Sequence, residues 1–163
     1  MGVDISGRNP KTEVGDYFGS NWWGWRPINA LCQIAAYKSK LKINFDHWGS
    51  NDGKGLRTQK QCDKLADALE TMLSNDSGYN EFMVDEDDRI QIVMGSWCEA
   101  GTGRFIGAEK EAELNEQYEY GTILFSSVVT KDGMVVESSH SASLGHIKNF
   151  ITFLRGCGGF EIW

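Results

Sequence analysis

Residues 18–31 read FGSNWWGWRPINAL and place three of the chain's six tryptophans, Trp22, Trp23 and Trp25, within four positions. In a helix these positions point in different directions; in a strand, positions 23 and 25 share one face and position 22 takes the other. One element cannot turn all three inward, so we expect at least one indole near the surface. Either two tryptophans anchor a core and one serves a binding site, or all three are structural.

The residues that follow predict a helix over 27–38. Pro27 fits the first turn of a helix, where its missing N–H is not needed. Apolar residues then recur at spacings of three and four, which is the pattern of a helix with one buried face. They are Ile28, Leu31, Cys32, Ala35 and Ala36.

A second helix is predicted to begin at Thr58. Thr58 and Gln61 have the spacing of a capping box, in which each side chain accepts a hydrogen bond from the other residue's backbone N–H. Residues 75–78 are expected to end this helix. Its apolar stripe consists of Cys62, Leu65, Ala66, Leu69, Met72 and Leu73.

Shorter patterns predict the remaining elements and the fold class. Strands and helices mix without regular alternation, which favours an α+β fold with a small, mainly antiparallel sheet and about three helices. The further elements are a strand over 1–6, a strand at about 89–94, a surface helix within 107–121, a hairpin turning at 131–133, a helix capped by Ser143 and a closing strand in 160–163.

Length and composition indicate one globular domain over residues 1–163. The chain is 40% hydrophobic and has only two prolines, with no low-complexity linker to mark a boundary. It has no apolar run of the ~20 residues that a membrane span needs. The N-terminal segment has neither the apolar stretch of a secretory signal nor the basic patch that supports a lipid anchor.

The net charge of −7 is unevenly distributed. Residues 1–75 carry eight acidic and ten basic side chains, whereas residues 76–120 carry twelve acidic and three basic ones. This acidic middle disfavours nucleic-acid binding because it repels phosphate. It either keeps the protein soluble or meets a basic partner.

The four cysteines, Cys32, Cys62, Cys98 and Cys157, lie 30 residues or more apart. That spacing fits neither a zinc site nor a disulfide scaffold, and it favours buried, reduced thiols in a cytosolic protein.

The strongest chemical cluster outside the tryptophan segment is His47-Trp48 with Asn51-Asp52. It offers a base, a stacking surface and a carboxylate, although Asn-Asp-Gly is also a common turn sequence.

Other candidates are weaker. Four consecutive carboxylates, 85–88, lack the alternating spacing of a calcium loop and are interpreted as an exposed turn. His140 and His146 lie near several serines but match no catalytic motif. The glycine-rich residues 101–107 lack the lysine of a phosphate loop. We expect no metal ion and no cofactor.

The two ends of the chain resemble a group of small phage and bacterial proteins with no assigned activity. The shared motifs are M-G-x-D-x-x-G-x-N-P, Y-F-x-x-N-x-W-x-W-R-P, N-D-G-x-G-L and F-L-x-x-x-G-G-F-E-I-W, which together cover about half of this chain. The group often has a zinc-knuckle-like C-x-x-C-x-G-T-G insert in its middle. Here Cys98 is present but Gly95 replaces the first cysteine, so the resemblance implies that zinc binding has been lost.

The resemblance implies a phage or prophage protein in the bacterial cytoplasm. The first hypothesis is a non-enzymatic binding protein that acts on a host or phage protein, with host defence as one target. The second is capture of a small nucleotide-like ligand, with indoles stacking on its base and Arg26 binding its phosphate. The third is a hydrolase that uses His47 or His140 with a carboxylate. The predicted binding patch is Trp22, Trp23, Trp25, Arg26, His47, Trp48, Asn51 and Asp52.

Overall fold

Four helices and two antiparallel sheets make up residues 2–75 and 87–163, which are the residues that the computed structural model describes. The α+β class is therefore confirmed. In chain order the elements are β1 (Gly2–Gly7), β2 (Tyr17–Asn21), α1 (Trp22–Lys38), α2 (Gln59–Asn75), β3 (Arg89–Glu99), α3 (Ala108–Gln117), β4 (Ile123–Leu124), β5 (Val128–Val129), β6 (Val135–Ser143), α4 (Leu144–Gly156) and β7 (Phe160–Ile162).

Helix α1 begins at Trp22, so the prediction that it starts at Pro27 was wrong. The Asn21 side chain accepts a hydrogen bond of 2.7 Å from the Gly24 N–H and caps the earlier start. Pro27 consequently lies inside the helix, where it cannot donate a hydrogen bond to the carbonyl of Trp23. The Asn21 cap and the packing of Trp25 in the core together hold this first turn in place despite the lost bond.

Helix α2 confirms the capping-box prediction. Thr58 Oγ1 accepts from the Gln61 N–H at 3.2 Å, and Gln61 Oε1 accepts from the Thr58 N–H at 3.2 Å. All six residues of the predicted apolar stripe are buried. The predicted end at 75–78 falls mostly outside the described residues, as do Asp85 and Glu86 of the acidic run.

The first sheet has the strand order β2-β1-β7, with Ile5 of β1 opposite Phe18 on one side and Ile162 on the other. The loop before α2 also pairs with β7, since the Phe160 N–H donates to the Leu56 carbonyl at 2.7 Å. The beginning and the end of the described chain therefore lie side by side.

The second sheet has the order β4-β3-β6-β5 and is built on the long pairing of β3 with β6, which a register shift between Ile92 and Trp97 interrupts. The strands therefore form two antiparallel sheets where the sequence pattern indicated one. Sequence pattern identifies strands but not the partner of each strand, and pairing residues 5–7 with 160–162 requires contacts across nearly the whole chain.

Three further local predictions are confirmed. The hairpin turns at residues 131–133, with Val129 opposite Val135. Helix α3 lies on the surface, and Leu114 is its one buried residue. Ser143 Oγ caps α4 by accepting from the His146 N–H at 3.2 Å.

The main core lies among α1, α2, α4 and the two sheets and is rich in aromatic side chains. Trp25 and Trp48 stack with ring centroids 6.0 Å apart, and Trp25 Nε1 donates to the Trp48 carbonyl at 2.8 Å. A smaller core lies under α3, where Trp97 Nε1 donates to Asn115 Oδ1 at 2.8 Å.

The segment between β1 and β2 packs closely on the end of α4. A Cβ atom added to the buried Gly15 would lie 2.0 Å from the Gly156 carbonyl oxygen. Only glycine fits there, and this contact fixes the first sheet against α4.

Cys32, Cys62 and Cys157 are buried, whereas Cys98 is only half-buried. Burial raises the pKa of the Cys32 thiol. Cys62 Sγ and Cys157 Sγ lie 3.6 Å apart and link α2 to the end of α4. None of the helices in the described residues has both the length and the apolar character needed to cross a membrane.

Candidate functional site

Two adjoining cavities lie at the start of α1. The first, the tryptophan groove, measures 610 Å³. The second cavity, the Ser20–His146 pocket, measures 460 Å³. Asn21 and Trp23 line both cavities. The remaining groove residues are Trp22, Trp25, Arg26, Asn29 and Gly49, and the remaining pocket residues are Gly19, Ser20, Gly24, Arg89, Ala142, Ser143 and His146.

The three clustered tryptophans have three different environments because α1 turns each in a different direction. Trp25 is 0% exposed and forms the floor of the groove, between the groove and the core. Trp22 is half-buried against the core. Trp23 is 79% exposed, and the Arg26 guanidinium lies 5.5 Å from its ring centroid, within the range of a cation–π contact.

The predicted patch comes together only in part. Four of its eight residues, Trp22, Trp23, Trp25 and Arg26, line the groove, and the 47–52 loop reaches it through Gly49. Trp48 is 1% exposed and belongs to the core, so it presents no stacking surface. The other three, His47, Asn51 and Asp52, are not among the groove residues.

His47 and Asp52 instead form a separate pair, with His47 Nδ1 2.6 Å from Asp52 Oδ2 and Lys54 Nζ 3.5 Å from His47 Nε2. Desolvation by itself raises the pKa of Asp52. The hydrogen bond with His47 and the nearby charges of His47 and Lys54 outweigh it and hold that pKa below its usual value. Asn51 has a φ of +49°, which is consistent with the predicted turn.

Sequence reasoning missed the pair formed by Ser20 and His146. Their side chains lie 126 positions apart in the chain, yet Ser20 Oγ is 3.0 Å from His146 Nε2. Ser20 Oγ also donates to the Asn21 carbonyl at 3.0 Å. The His146 ring packs on Phe18 with centroids 5.0 Å apart. Burial, and then the charge of Arg89, lower the pKa of His146.

Arg89 is oriented by β6. Its Nε donates to Ser141 Oγ at 3.0 Å and its Nη2 donates to the Ser141 carbonyl at 2.9 Å. The second histidine named from sequence, His140, lies in the same strand, and its pKa is lowered by burial and by Arg26. Cationic groups thus face both cavities from α1 and β3.

Cys98 lies on β3 opposite Phe105, and the chain between them turns tightly, with the Glu99 N–H donating to the Arg104 carbonyl at 2.9 Å. Gly95 has a φ of +85° and open space where a Cβ would be. Within residues 2–75 and 87–163, no three His, Cys, Asp or Glu side chains are grouped so that they could hold a metal ion.

A 530 Å³ cavity between the end of α1 and the residues before β4 was also missed, and it is lined by the exposed Tyr37 and Tyr120. It contains none of the predicted patch residues.

No family model, curated protein or solved structure matches this chain.

Proposed function

We propose that this protein is a phage- or prophage-encoded binding protein of the bacterial cytoplasm that captures a small nucleotide-like ligand in the tryptophan groove. The observation that carries the proposal is an exposed indole, Trp23, with the Arg26 guanidinium over its ring at the edge of a concave groove. The groove's volume of 610 Å³ falls within the ~300–1,000 Å³ of small-molecule sites.

The lining of the groove suits an aromatic anion. The Trp23 ring offers a surface on which a base can stack, which contributes about 1–3 kcal/mol per base in other proteins. Asn21 and Asn29 use their side-chain oxygens within α1, accepting from Gly24 N and from Gln33 Nε2. Their NH₂ groups are therefore the atoms they would offer to a base. Arg26 supplies positive charge, and no carboxylate lines the groove within residues 2–75 and 87–163.

The test begins with native mass spectrometry of the gently purified protein, followed by calorimetric titration with nucleosides and nucleoside monophosphates. Trp23→Ala should weaken binding about 5-fold to 150-fold, as the loss of one stacking contact predicts. Tyr37→Ala is the matched control, because Tyr37 is a similarly exposed aromatic residue on a different cavity. Equal binding by the wild-type protein and the Trp23→Ala variant would disprove the proposal.

A protein partner is the second candidate, since tryptophan and arginine are the residue types most often responsible for interface affinity. Trp23 and Arg26 are both exposed at one place on α1. In this case native mass spectrometry would detect a partner's mass instead of a metabolite's, and Trp23→Ala would abolish that complex.

The hydrolase hypothesis gains one supporting contact, the 2.6 Å pair of His47 and Asp52. It predicts an activity that is lost in His47→Ala and retained in Trp23→Ala. An activity that is retained in His47→Ala and lost in Trp23→Ala would instead place the functional site in the groove.

A further inference from the structure

The Ser20–His146 pocket brings hydrogen-bond donors from four elements to one place. Ser20 comes from the end of β2, Arg89 from the start of β3, Ser143 from the end of β6 and His146 from the first turn of α4. Among the described residues, none that lines this pocket is acidic. A 460 Å³ cavity with this lining has the chemistry of an oxyanion site.

Gly24 leaves room for these donors. A Cβ atom at this position would lie 2.8 Å from Ser20 Oγ and 3.5 Å from His146 Nε2. A larger residue here would force the Ser20 hydroxyl out of its present position, whereas glycine leaves the Ser20–His146 contact undisturbed. The close approach brings Trp23, which lines both cavities, next to the donors.

Arg89 is the charged group of this pocket. Its two hydrogen bonds to Ser141, of 3.0 and 2.9 Å, hold the guanidinium in a fixed orientation. Its charge also contributes to the lowered pKa of His146, after burial. An anion bound beside Arg89 would offset that repulsion and would favour the protonated imidazole.

We propose that the Ser20–His146 pocket binds the phosphate group of the ligand whose aromatic part stacks on Trp23 in the tryptophan groove. Arg89 supplies the charge and the protonated His146 imidazole supplies a donor, while the Ser20 hydroxyl would exchange its bond to the Asn21 carbonyl for one to the phosphate. The inference rests on the proposed function, because one ligand would reach both cavities across the shared residues Asn21 and Trp23. The residue that binds the phosphate is then Arg89 and not Arg26, which the sequence suggested, because the Arg26 guanidinium lies over the indole ring of Trp23.

The experiment titrates the protein with inorganic phosphate while the His146 imidazole is followed by NMR. Phosphate should raise the pKa of His146. Arg89→Gln should weaken phosphate binding about 10-fold or more, as expected for loss of a charged hydrogen-bond partner. Arg104→Gln is the matched control, since Arg104 is an exposed arginine outside both cavities. Ser20→Ala provides a second variant that leaves Arg89 and its bonds to Ser141 in place.

A second titration separates this inference from the proposed function. A nucleoside without phosphate should bind wild type and Arg89→Gln equally, whereas a nucleoside monophosphate should lose affinity in Arg89→Gln. If His146 does not respond to phosphate, or Arg89→Gln and Arg104→Gln behave alike, the phosphate site is disproved. Loss of nucleoside binding in Trp23→Ala would still support the groove. Binding of free phosphate without any nucleoside binding would support the phosphate site and overturn the proposed function.

Discussion

Trp25 and Trp23 lie two positions apart on α1 and belong to opposite regions of the molecule. Trp25 is fully buried, stacks on Trp48 and has its indole N–H bonded to the Trp48 carbonyl. Trp23 is 79% exposed and contacts the Arg26 guanidinium. Two positions correspond to about 200° around a helix, so a single turn supplies both a core anchor and a surface for recognition. The direction a side chain points, and not its type, decides its role here.

The largest expected effect comes from truncating the buried member of this pair. Trp25→Ala should lower the free energy of unfolding by about 3–5 kcal/mol, since it leaves a cavity and removes the donor to the Trp48 carbonyl. Trp23→Ala should change it by no more than about 0.5 kcal/mol. Urea denaturation of both variants measures the contrast, and equal losses would contradict it.

A smaller effect is expected from Gly15, which is packed in the interior, than from the tryptophan; Gly49, on the groove, serves for comparison. Gly15→Ala should cost about 1–3 kcal/mol, because the added methyl group would meet the Gly156 carbonyl at 2.0 Å. Gly49→Ala is the control, since nothing lies within 4 Å of its Cβ position. Thermal unfolding would show a clear decrease in melting temperature for Gly15→Ala alone. A stable Gly15→Ala variant would mean that this segment is not tightly packed.

His140 and His146 are partly buried and so lie between the two extremes represented by Trp25 and Trp23. The pKa values of His140 and His146 are lowered, first by burial, so the unfolded chain binds protons more readily. The two neutral histidines therefore contribute fully to the free energy of unfolding above pH 6.5, about the pKa of histidine in the unfolded chain. That contribution is lost as the pH falls from there through their lower pKa values in the folded protein. Denaturation between pH 7 and 5 should show this decline, and the double variant His140→Gln/His146→Gln should reduce the slope. An unchanged slope would rule out these two groups as its source.

The smallest effect is expected at the exposed hairpin near α3. Lys110 Nζ lies 2.8 Å from Asp132 Oδ2, and hydrogen bonds from Lys110 and then Thr130 hold the pKa of Asp132 at about 2. The pair therefore stabilises the folded state above pH 3.8, and this is lost as the pH falls toward 2. Lys110→Gln should raise the pKa of Asp132, which NMR of its carboxyl group can follow, with little change in stability. Exposed ion pairs of this kind contribute little.

Features that depend on neighbouring residues could be predicted from sequence. The Thr58 cap, the buried stripe of α2, the Ser143 cap of α4 and the turn at 131–133 all follow from contacts within a few positions. The start of α1 was predicted wrongly because Pro27 is a strong signal for a first helical turn, whereas the residue that caps the helix is Asn21.

The sheets and the candidate site could be predicted only in part. The first sheet needs pairing of residues 5–7 with 160–162, and the Ser20–His146 pair needs contact across 126 positions. The tryptophan cluster itself was recognised. Which tryptophan would remain exposed depends on the direction from which Trp48 and Phe150 approach α1, and sequence pattern does not contain that direction.

The pairing of β1 with β7 has a consequence for biosynthesis. Arg8, the residue after β1, donates a hydrogen bond to the Phe160 carbonyl 152 positions later, so the ribosome makes β1 long before β7. Until then one edge of β1 has unpaired backbone groups, the kind of edge on which chains aggregate. A chaperone that covers residues 2–7 during synthesis should therefore reduce aggregation of the unfinished chain.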